Sequence, residues 1–305
     1  MWPPSLYKHQ KEGVAWMLKR EQSPVFKGGL LCDEPGMGKT IQVGATMCQN
    51  PQRNNLLILP NAVIQQWVDT LTKMIPDVNI YVHHGKTKLK DTSILRKGSM
   101  NIVIITIAGV IKMSLFKKIT WDRIIMDECH YIKNKSSSRS IHSKKLNGKI
   151  KWGLTGTPVQ NSIKDLISLV MFIKPDKWDL DNVPINKNTI KTFKKRLILR
   201  RTKDDHPKDP NYLIKISSIN DKIIRFPFKH KKEREFYNLI MEEIQVMAED
   251  IQQRANGLHR FQGMLELLIR NRQASIHPVL YARAMLERAK RKNIRYRPHT
   301  TIKTY

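Results

Sequence analysis

The sequence predicts an α/β fold in which a parallel sheet is covered by helices, followed by a mostly helical C-terminal segment. Three observations predict it. Short apolar runs alternate with helical stretches, one such run feeds a glycine-rich turn that opens a helix, and another ends abruptly in two carboxylates.

In chain order, Leu6, His9, Gln10, Gly13, Val14, Trp16 and Met17 fall at spacings that suit one face of a helix across residues 5–20. Gly28-Gly29 then punctuates, and Leu30-Leu31-Cys32 reads as a short buried strand. Helical character from Thr40 to Cys48 completes a strand, loop, helix unit. The runs Leu56–Leu59, Ile80–Val82, Ile102–Ile107, Ile124–Met126 and Trp152–Leu154 read as strands buried on both faces, with Ala62–Met74 and Asp165–Phe172 as helices that cover them. From about residue 174 the texture turns to Pro, Asp, Asn and Lys, with Lys174-Pro175-Asp176 and His206-Pro207 as loop markers. A boundary is expected near 200–215, giving a first domain over 1–203 and a second segment over 204–305. In that segment Glu233–Gln253 and Gly263–Arg272 read as helical, and the tail from Arg283 to Tyr305 is basic. Its Arg288-Ala289-Lys290-Arg291-Lys292 fits a nuclear-import or nucleic-acid patch, and equally a solvated helix face.

Composition narrows the partners. The 305 residues carry 55 Lys and Arg against 26 Asp and Glu, a formal charge of +29, so a polyanion is the expected partner. Nucleic acid fits best, because no stretch has the one-faced amphipathic layout that binds an anionic membrane surface. The longest apolar run, Ile102 to Val110, is far shorter than the roughly 20 residues of a membrane span. Met1-Trp2-Pro3-Pro4 lacks the basic-then-apolar layout of a secretory signal, so the expectation is a protein kept inside the cell. Cys32, Cys48 and Cys129 are odd in number and lack paired metal-ligand spacing, which points to free thiols held in the core.

The turn Asp33-Glu34-Pro35-Gly36-Met37-Gly38-Lys39-Thr40 has the chemistry of a phosphate cradle. Gly36 and Gly38 can take positive φ, which lets backbone amides wrap a phosphate, and the following helix presents its positive end. Lys39 would reach the β- and γ-phosphates of ATP, and Thr40 would offer its hydroxyl to magnesium. The strict pattern wants glycine where this chain has Asp33. Two carboxylates at the end of the strand Ile124-Ile125-Met126 are costly unless employed. In a nucleotide site Asp127 would hold the magnesium and Glu128 would position and polarise the attacking water, which makes Lys39, Asp127 and Glu128 the candidate catalytic residues.

These residues resemble an ordered series of motifs in the Swi/Snf-type DNA-dependent ATPases of the second helicase superfamily. Tyr7-Lys8-His9-Gln10-Lys11-Glu12-Gly13-Val14 is similar to the adenine-recognising Q motif, with Gln10 in the glutamine position. Gly29 to Thr40 is similar to the first motif, whose acidic pair replaces the usual glycine, so Asp33 is a family trait. Ile58-Leu59-Pro60 with Gln66-Trp67 resembles motif Ia, and Ile104-Ile105-Thr106 the next strand-end motif. Asp127-Glu128-Cys129-His130 resembles the Asp-Glu-Ala-His box, with Cys129 for alanine. Leu154-Thr155-Gly156-Thr157-Pro158-Val159-Gln160-Asn161 is similar to motif III, and Ile198 to Lys203 stands where the family closes its first lobe. Trp121-Asp122-Arg123-Ile124-Ile125 and Lys151-Trp152-Gly153-Leu154 lean towards the branch of helicase-like transcription factors, transcription-termination factors and a global transactivator of insect DNA viruses.

The resemblance implies a RecA-like P-loop lobe over 1–203, ATP and Mg2+ as ligands, and double-stranded DNA as partner, in a transcription or chromatin complex in the nucleus, the host nucleus for a viral member. It implies that His130 links the carboxylate box to motif III, and that Thr155, Gly156, Thr157, Thr106, Gln66 and Trp67 couple nucleotide state to DNA. Glu235-Phe236-Tyr237 and Leu268 to Pro278 resemble the opening of a second lobe, whose arginine motif is not found in the sequence. Two readings stay open: an ATP-dependent duplex translocase, or a nucleotide- and DNA-binding module with little turnover. A P-loop kinase has no use for Thr155-Gly156-Thr157-Pro158. Lys86, Lys88, Lys90, Lys144, Lys145 and Lys149 fit phosphate contacts or merely solvated loops.

Overall fold

Why the motifs meet is a matter of how the strands are ordered. A computed structural model describes residues 5–24, 27–85, 87, 89–96, 100–112, 116, 118–159, 162–173, 187–205, 222–224, 227–254 and 257–292. The expected loop markers Lys174-Pro175-Asp176 and His206-Pro207, together with Lys86, Lys88, Gln160, Asn161 and the tail from 293 onwards, lie outside the described residues. The chain divides into two compact units, Met1–Ser217 and Ser218–Tyr305.

The first unit runs α1 (Lys8–Glu21), β1 (Gly28–Leu31), α2 (Lys39–Gln49), β2 (Asn54–Leu59), α3 (Ile64–Met74), β3 (Val78–His83), β4 (Met100–Thr106), β5 (Thr120–Met126), α4 (Ser138–Lys144), β6 (Asn147–Leu154), α5 (Ile163–Phe172), α6 (Lys187–Leu197) and β7 (Ile198–Leu199). Its seven strands form one sheet in the order β3-β4-β2-β5-β6-β1-β7, every neighbouring pair parallel. Strand side chains alternate between faces. Leu31, Leu57, Leu59, Ile102, Ile104, Ile125 and Trp152 therefore join one core cluster with Val14 and Met17 of α1, Val43 and Met47 of α2, and Trp67 and Leu71 of α3. Leu30, Leu56, Ile58, Val103, Ile105, Ile124 and Met126 join the other with Leu166 and Phe172 of α5 and Leu197 of α6. The interior strands β1, β2 and β4 are accordingly buried at nearly every position, as strands covered on both faces must be.

Two edges depart from that rule. β3, expected to be buried on both faces, is only half-buried along its whole length because it pairs on one side alone. β7 is two residues long and half-buried, too short for a hydrophobic run to betray it. α4 has no clear apolar periodicity, and α6, reading Lys-Asn-Thr-Ile-Lys-Thr-Phe-Lys-Lys-Arg-Leu, has only Ile190, Phe193 and Leu197 at i, i+3 and i+7 among its cations.

Under the rim of the sheet lies a buried ion pair. Arg123 of β5 and Glu21 of α1 are both fully buried at their side chains, with Arg123 Nε donating to Glu21 Oε1 at 2.8 Å. Arg123 also donates to Asn55 Oδ1 at 3.1 Å and to the Asn50 carbonyl at 2.8 Å, while Trp152 Nε1 donates to Glu21 Oε1 at 2.8 Å. Every charge and donor in the group is answered, which is the condition for keeping ions in a core. Four elements that carry no site residue in common are thereby fastened together.

The second unit is helical: α7 (Lys231–Arg254), α8 (Gly257–Ile276) and α9 (Pro278–Lys292). Phe236, Ile240, Ile244, Leu267, Tyr281 and Met285 make its core, and Tyr281 Oη donates to Glu243 Oε2 at 2.8 Å. The basic Arg288-Ala289-Lys290-Arg291-Lys292 forms the end of α9, where Arg288 Nε stands 3.5 Å from Glu266 Oε1. No helix among the described residues is long and apolar enough to cross a membrane.

Because all six tryptophans of the sequence fall in the first unit, indole emission reports its unfolding alone. Arg123→Ala should lower its stability to urea by about 3–5 kcal/mol, since it strands a buried carboxylate. Glu21→Leu combined with Arg123→Met should recover most of that loss; equal midpoints for wild type and Arg123→Ala would refute this account of the pair.

Candidate nucleotide-binding site

A sheet of parallel strands sends all its C-terminal loops to one edge, where ligands of such folds collect. Here that edge receives the turn after β1 (Asp33–Thr40), Thr106 at the end of β4, Asp127-Glu128 after β5, Thr155–Thr157 after β6, and Arg200–Lys203 after β7. β1, β6 and β5 are consecutive in the sheet, so the glycine turn, Thr155–Thr157 and the acidic pair are neighbours.

The turn itself is shaped by glycine. Gly36 and Gly38 have φ of +88° and +74°, and Gly38 caps α2 from the left-handed region. A Cβ on Gly38 would stand 2.4 Å from Gln10 Nε2 and displace it, and the positive φ would strain any other residue there. Lys39, first residue of α2, folds back so that Nζ donates to the carbonyls of Asp33 at 2.7 Å and Glu34 at 3.3 Å. The Met37 carbonyl receives His9 Nε2 at 3.0 Å, Gln42 Nε2 at 3.4 Å and Gln10 Nε2 at 3.5 Å. Gln10 is oriented in turn by its Oε1, which accepts the Tyr7 N–H at 3.1 Å. The helix α1 thus grips the turn through its own start.

Asp33 occupies a different place from the one its position in the turn suggests. It is fully buried. Its carboxylate accepts Arg201 Nε at 3.0 Å, the Arg201 amide at 3.2 Å and Gln42 Nε2 at 3.1 Å, and a terminal Arg201 nitrogen closes on Oδ2. Arg201 also donates to Gln42 Oε1 at 2.9 Å and to the His9 carbonyl. Asp33 therefore serves the turn as an internal anchor, and only its carbonyl, held by Lys39, faces the loop chemistry. Arg201 and Gln42 are the residues that reading the motifs passed over. An aspartate set directly behind Leu30-Leu31-Cys32 had to be answered by a cation, but nothing in sequence spacing says which.

At the acidic pair, Asp127 is largely buried, and burial pushes its carboxyl above the ordinary range against the pull of two donors. Those donors are Trp67 Nε1 at 3.0 Å and the Glu128 amide at 2.9 Å; the neighbouring Glu128 charge pushes the same way as burial and Lys39 opposes it. Each carboxylate oxygen keeps a lone pair for a metal. Glu128 is held at φ +48°, a left-handed conformation that costs a non-glycine residue about 1–3 kcal/mol and collects at functional sites. Its Oε2 lies 3.0 Å from His130 Nδ1, which lies 3.3 Å from Thr155 Oγ1, and that hydroxyl accepts the Thr157 amide at 3.1 Å. Gly156 permits the closure: a Cβ there would meet Pro35 Cδ at 2.8 Å.

Burial raises the Cys32 thiol to about 12 and pushes Cys129 well above its usual value, so both stay protonated. Cys48, expected in the core, is exposed at the end of α2.

Trp67, expected from motif Ia to couple nucleotide state to DNA, is 1% exposed, and its indole N–H reaches the acidic pair at Asp127. Gln66 is exposed beside it. Thr106 is separated from Asp127 by β2, and its Oγ1 accepts the Gly109 amide at 2.9 Å. Of the expected surface lysines, Lys149 pairs with Asp122 at 2.8 Å.

A sequence model of the SNF2-related domain matches residues 9–280. The chain is 27% identical over 334 residues to the DNA repair protein RAD5B of Arabidopsis thaliana, covering 91% of this chain and 26% of that protein. It is 27% identical over 294 residues to the probable global transactivator of Orgyia pseudotsugata multicapsid polyhedrosis virus, covering 91% of this chain and 57% of the viral protein. It thus spans about a quarter of the plant relative and little more than half of the viral one. Among solved structures, the Sulfolobus solfataricus SWI2/SNF2 ATPase core in complex with dsDNA superposes with a TM-score of 0.58 at 24% identity, over 95% of this chain and 65% of that core. The shared fold is the RecA-like lobe with its helical C-terminal portion.

Replacing Arg201 by Met should remove about 3–5 kcal/mol from the urea stability of the first unit, because Asp33 is left charged in the core. Arg200, which donates to the Gly156 carbonyl at 2.9 Å and the Cys32 carbonyl at 3.3 Å from an exposed position, should cost no more than about 1.5 kcal/mol as Arg200→Met. Similar losses for the two variants would remove Arg201 from its central place.

Proposed function

The chain belongs to the SNF2-related domain family, and on that premise we propose that its first unit is the nucleotide-binding lobe of a duplex-DNA-dependent ATP hydrolase. The observation that carries the proposal is the meeting of the Gly36–Thr40 turn with Asp127-Glu128 at one sheet edge, Glu128 being joined to Thr155 through His130.

The donor set suits a magnesium nucleotide. Backbone amides of the turn and the start of α2 would bind the phosphates, with Lys39 leaving its two carbonyls to neutralise them and Gln10 meeting the adenine. Thr40 and Asp127 would hold Mg2+, which when bound draws charge from the phosphate oxygens. Glu128 would orient a water and take its proton as the water oxygen bonds to the γ-phosphorus and the bond to the bridging oxygen breaks, releasing ADP and phosphate. His130, Thr155 and Thr157 give the carboxylate a hydrogen-bonded route to the loop beyond β6, through which duplex contact would reach the water. Charge supports the partner: +29 on 305 residues suits phosphate-backbone tracking, a mode that weakens steeply with salt. The expected setting is a repair, transcription or chromatin complex in the nucleus.

A second reading is a module that binds nucleotide and DNA with little turnover. Hydrolysis in nucleotide switches is accelerated roughly 10³–10⁵-fold by an arginine that completes the site, so the choice between the two readings turns on whether one is supplied.

Phosphate release measured with and without duplex DNA tests the proposal. Lys39→Ala should abolish ATP binding, while Glu128→Gln should keep binding and cut DNA-stimulated release by about 10²–10⁴-fold. Release unaffected by duplex and identical in Glu128→Gln would instead support the second reading.

A further inference from the structure

The segment after β7 is stitched to the glycine turn bond by bond. The Cys32 amide donates to the Leu199 carbonyl at 2.6 Å and the Glu34 amide to the Arg201 carbonyl at 3.1 Å, and the Lys203 amide donates back to Glu34 Oε2 at 2.9 Å. Parallel pairing thus continues past the end of β7 along the entry of the turn and delivers residue 203 to its crest. Lys203 Nζ stands 3.8 Å and its Cε 3.9 Å from the point a Cβ on Gly36 would occupy. Among the described residues, nothing else beyond Gly36's chain neighbours comes within 4 Å of that point. The exposed flank of the turn is therefore faced by one ammonium group.

We propose that Lys203 is a second phosphate-binding cation, acting across the turn from Lys39 on the terminal phosphates of a nucleoside triphosphate. The inference rests on the nucleotide reading above. Its sister cations cannot do this work: Arg201 is buried on Asp33, and Arg200 is bound to the carbonyls of Cys32 and Gly156. Lys203 is exposed, on a long stem with three rotatable donors, and can follow a phosphate without the fixed fork of an arginine. Charge from Lys39 and Lys203 would bracket the turn from opposite sides, one from the helix that leaves it and one from the strand beside it. Discrimination between triphosphate and monophosphate would then reside partly in residue 203.

Calorimetric titration of the full chain with magnesium ATP, ADP and AMP, for wild type, Lys203→Ala, Lys203→Gln and Lys203→Arg, tests this. ATP affinity should fall about tenfold in the Ala and Gln variants, the scale of one hydrogen bond to a charged group, with less loss for ADP and none for AMP. Lys203→Arg should recover part of it, and urea midpoints should be unchanged. Unaltered ATP affinity, or equal losses for all three nucleotides, overturns the proposal, the latter because it marks Lys203 as a mere brace for Glu34. A wild-type chain that binds no ATP overturns the nucleotide reading itself, a result distinct from either.

Discussion

A carboxylate sealed inside a protein must be answered or neutralised, and at Asp33 the answer comes from Arg201, 168 residues further along the chain. This one pair ties the turn after β1 to the segment after β7. Arg201 holds Asp33 at the mouth of β1, Gln42 in α2 and the His9 carbonyl in α1, so the phosphate turn is fixed to three elements at once. The turn's glycines confer freedom of shape, and the anchor removes freedom of position. Replacing the pair by apolar groups could keep the fold, but would not register the turn against β7 in the same way.

The sheet order does the remaining assembly. With β5, β6 and β1 side by side and parallel, three loops that are far apart in sequence open together. Each then adds a constraint of its own: Trp67 holds Asp127, the left-handed turn at Glu128 aims that carboxylate towards His130, and Gly156 lets the loop after β6 rest on Pro35. Strain at Glu128 is tolerated because the elements around it are independently stapled, notably by Arg123 and Glu21.

Much of this is legible in the order of residues alone. β2, β4 and β5 announce themselves as apolar runs because strands covered on both faces admit little else, and the turn and acidic pair are recognisable by residue type and order. What stayed hidden shares a cause. β7 is too short to show a period, α6 carries charges along most of its length, and the partners of Asp33 and Asp127 are set by tertiary packing. Trp67 shows the same limit: its residue type fits a core position, but that its N–H reaches Asp127 is set by packing.

Lys39 in its folded-back pose has a consequence for how binding strength should be understood. Its ammonium already satisfies the carbonyls of Asp33 and Glu34, so a ligand arriving at the turn enters an exchange and not an empty seat. Measured affinity is then a difference between two sets of hydrogen bonds, one of them wholly internal. Changes that loosen the internal set, at the carbonyls of Asp33 and Glu34, would favour a ligand at the turn without adding a single contact to it.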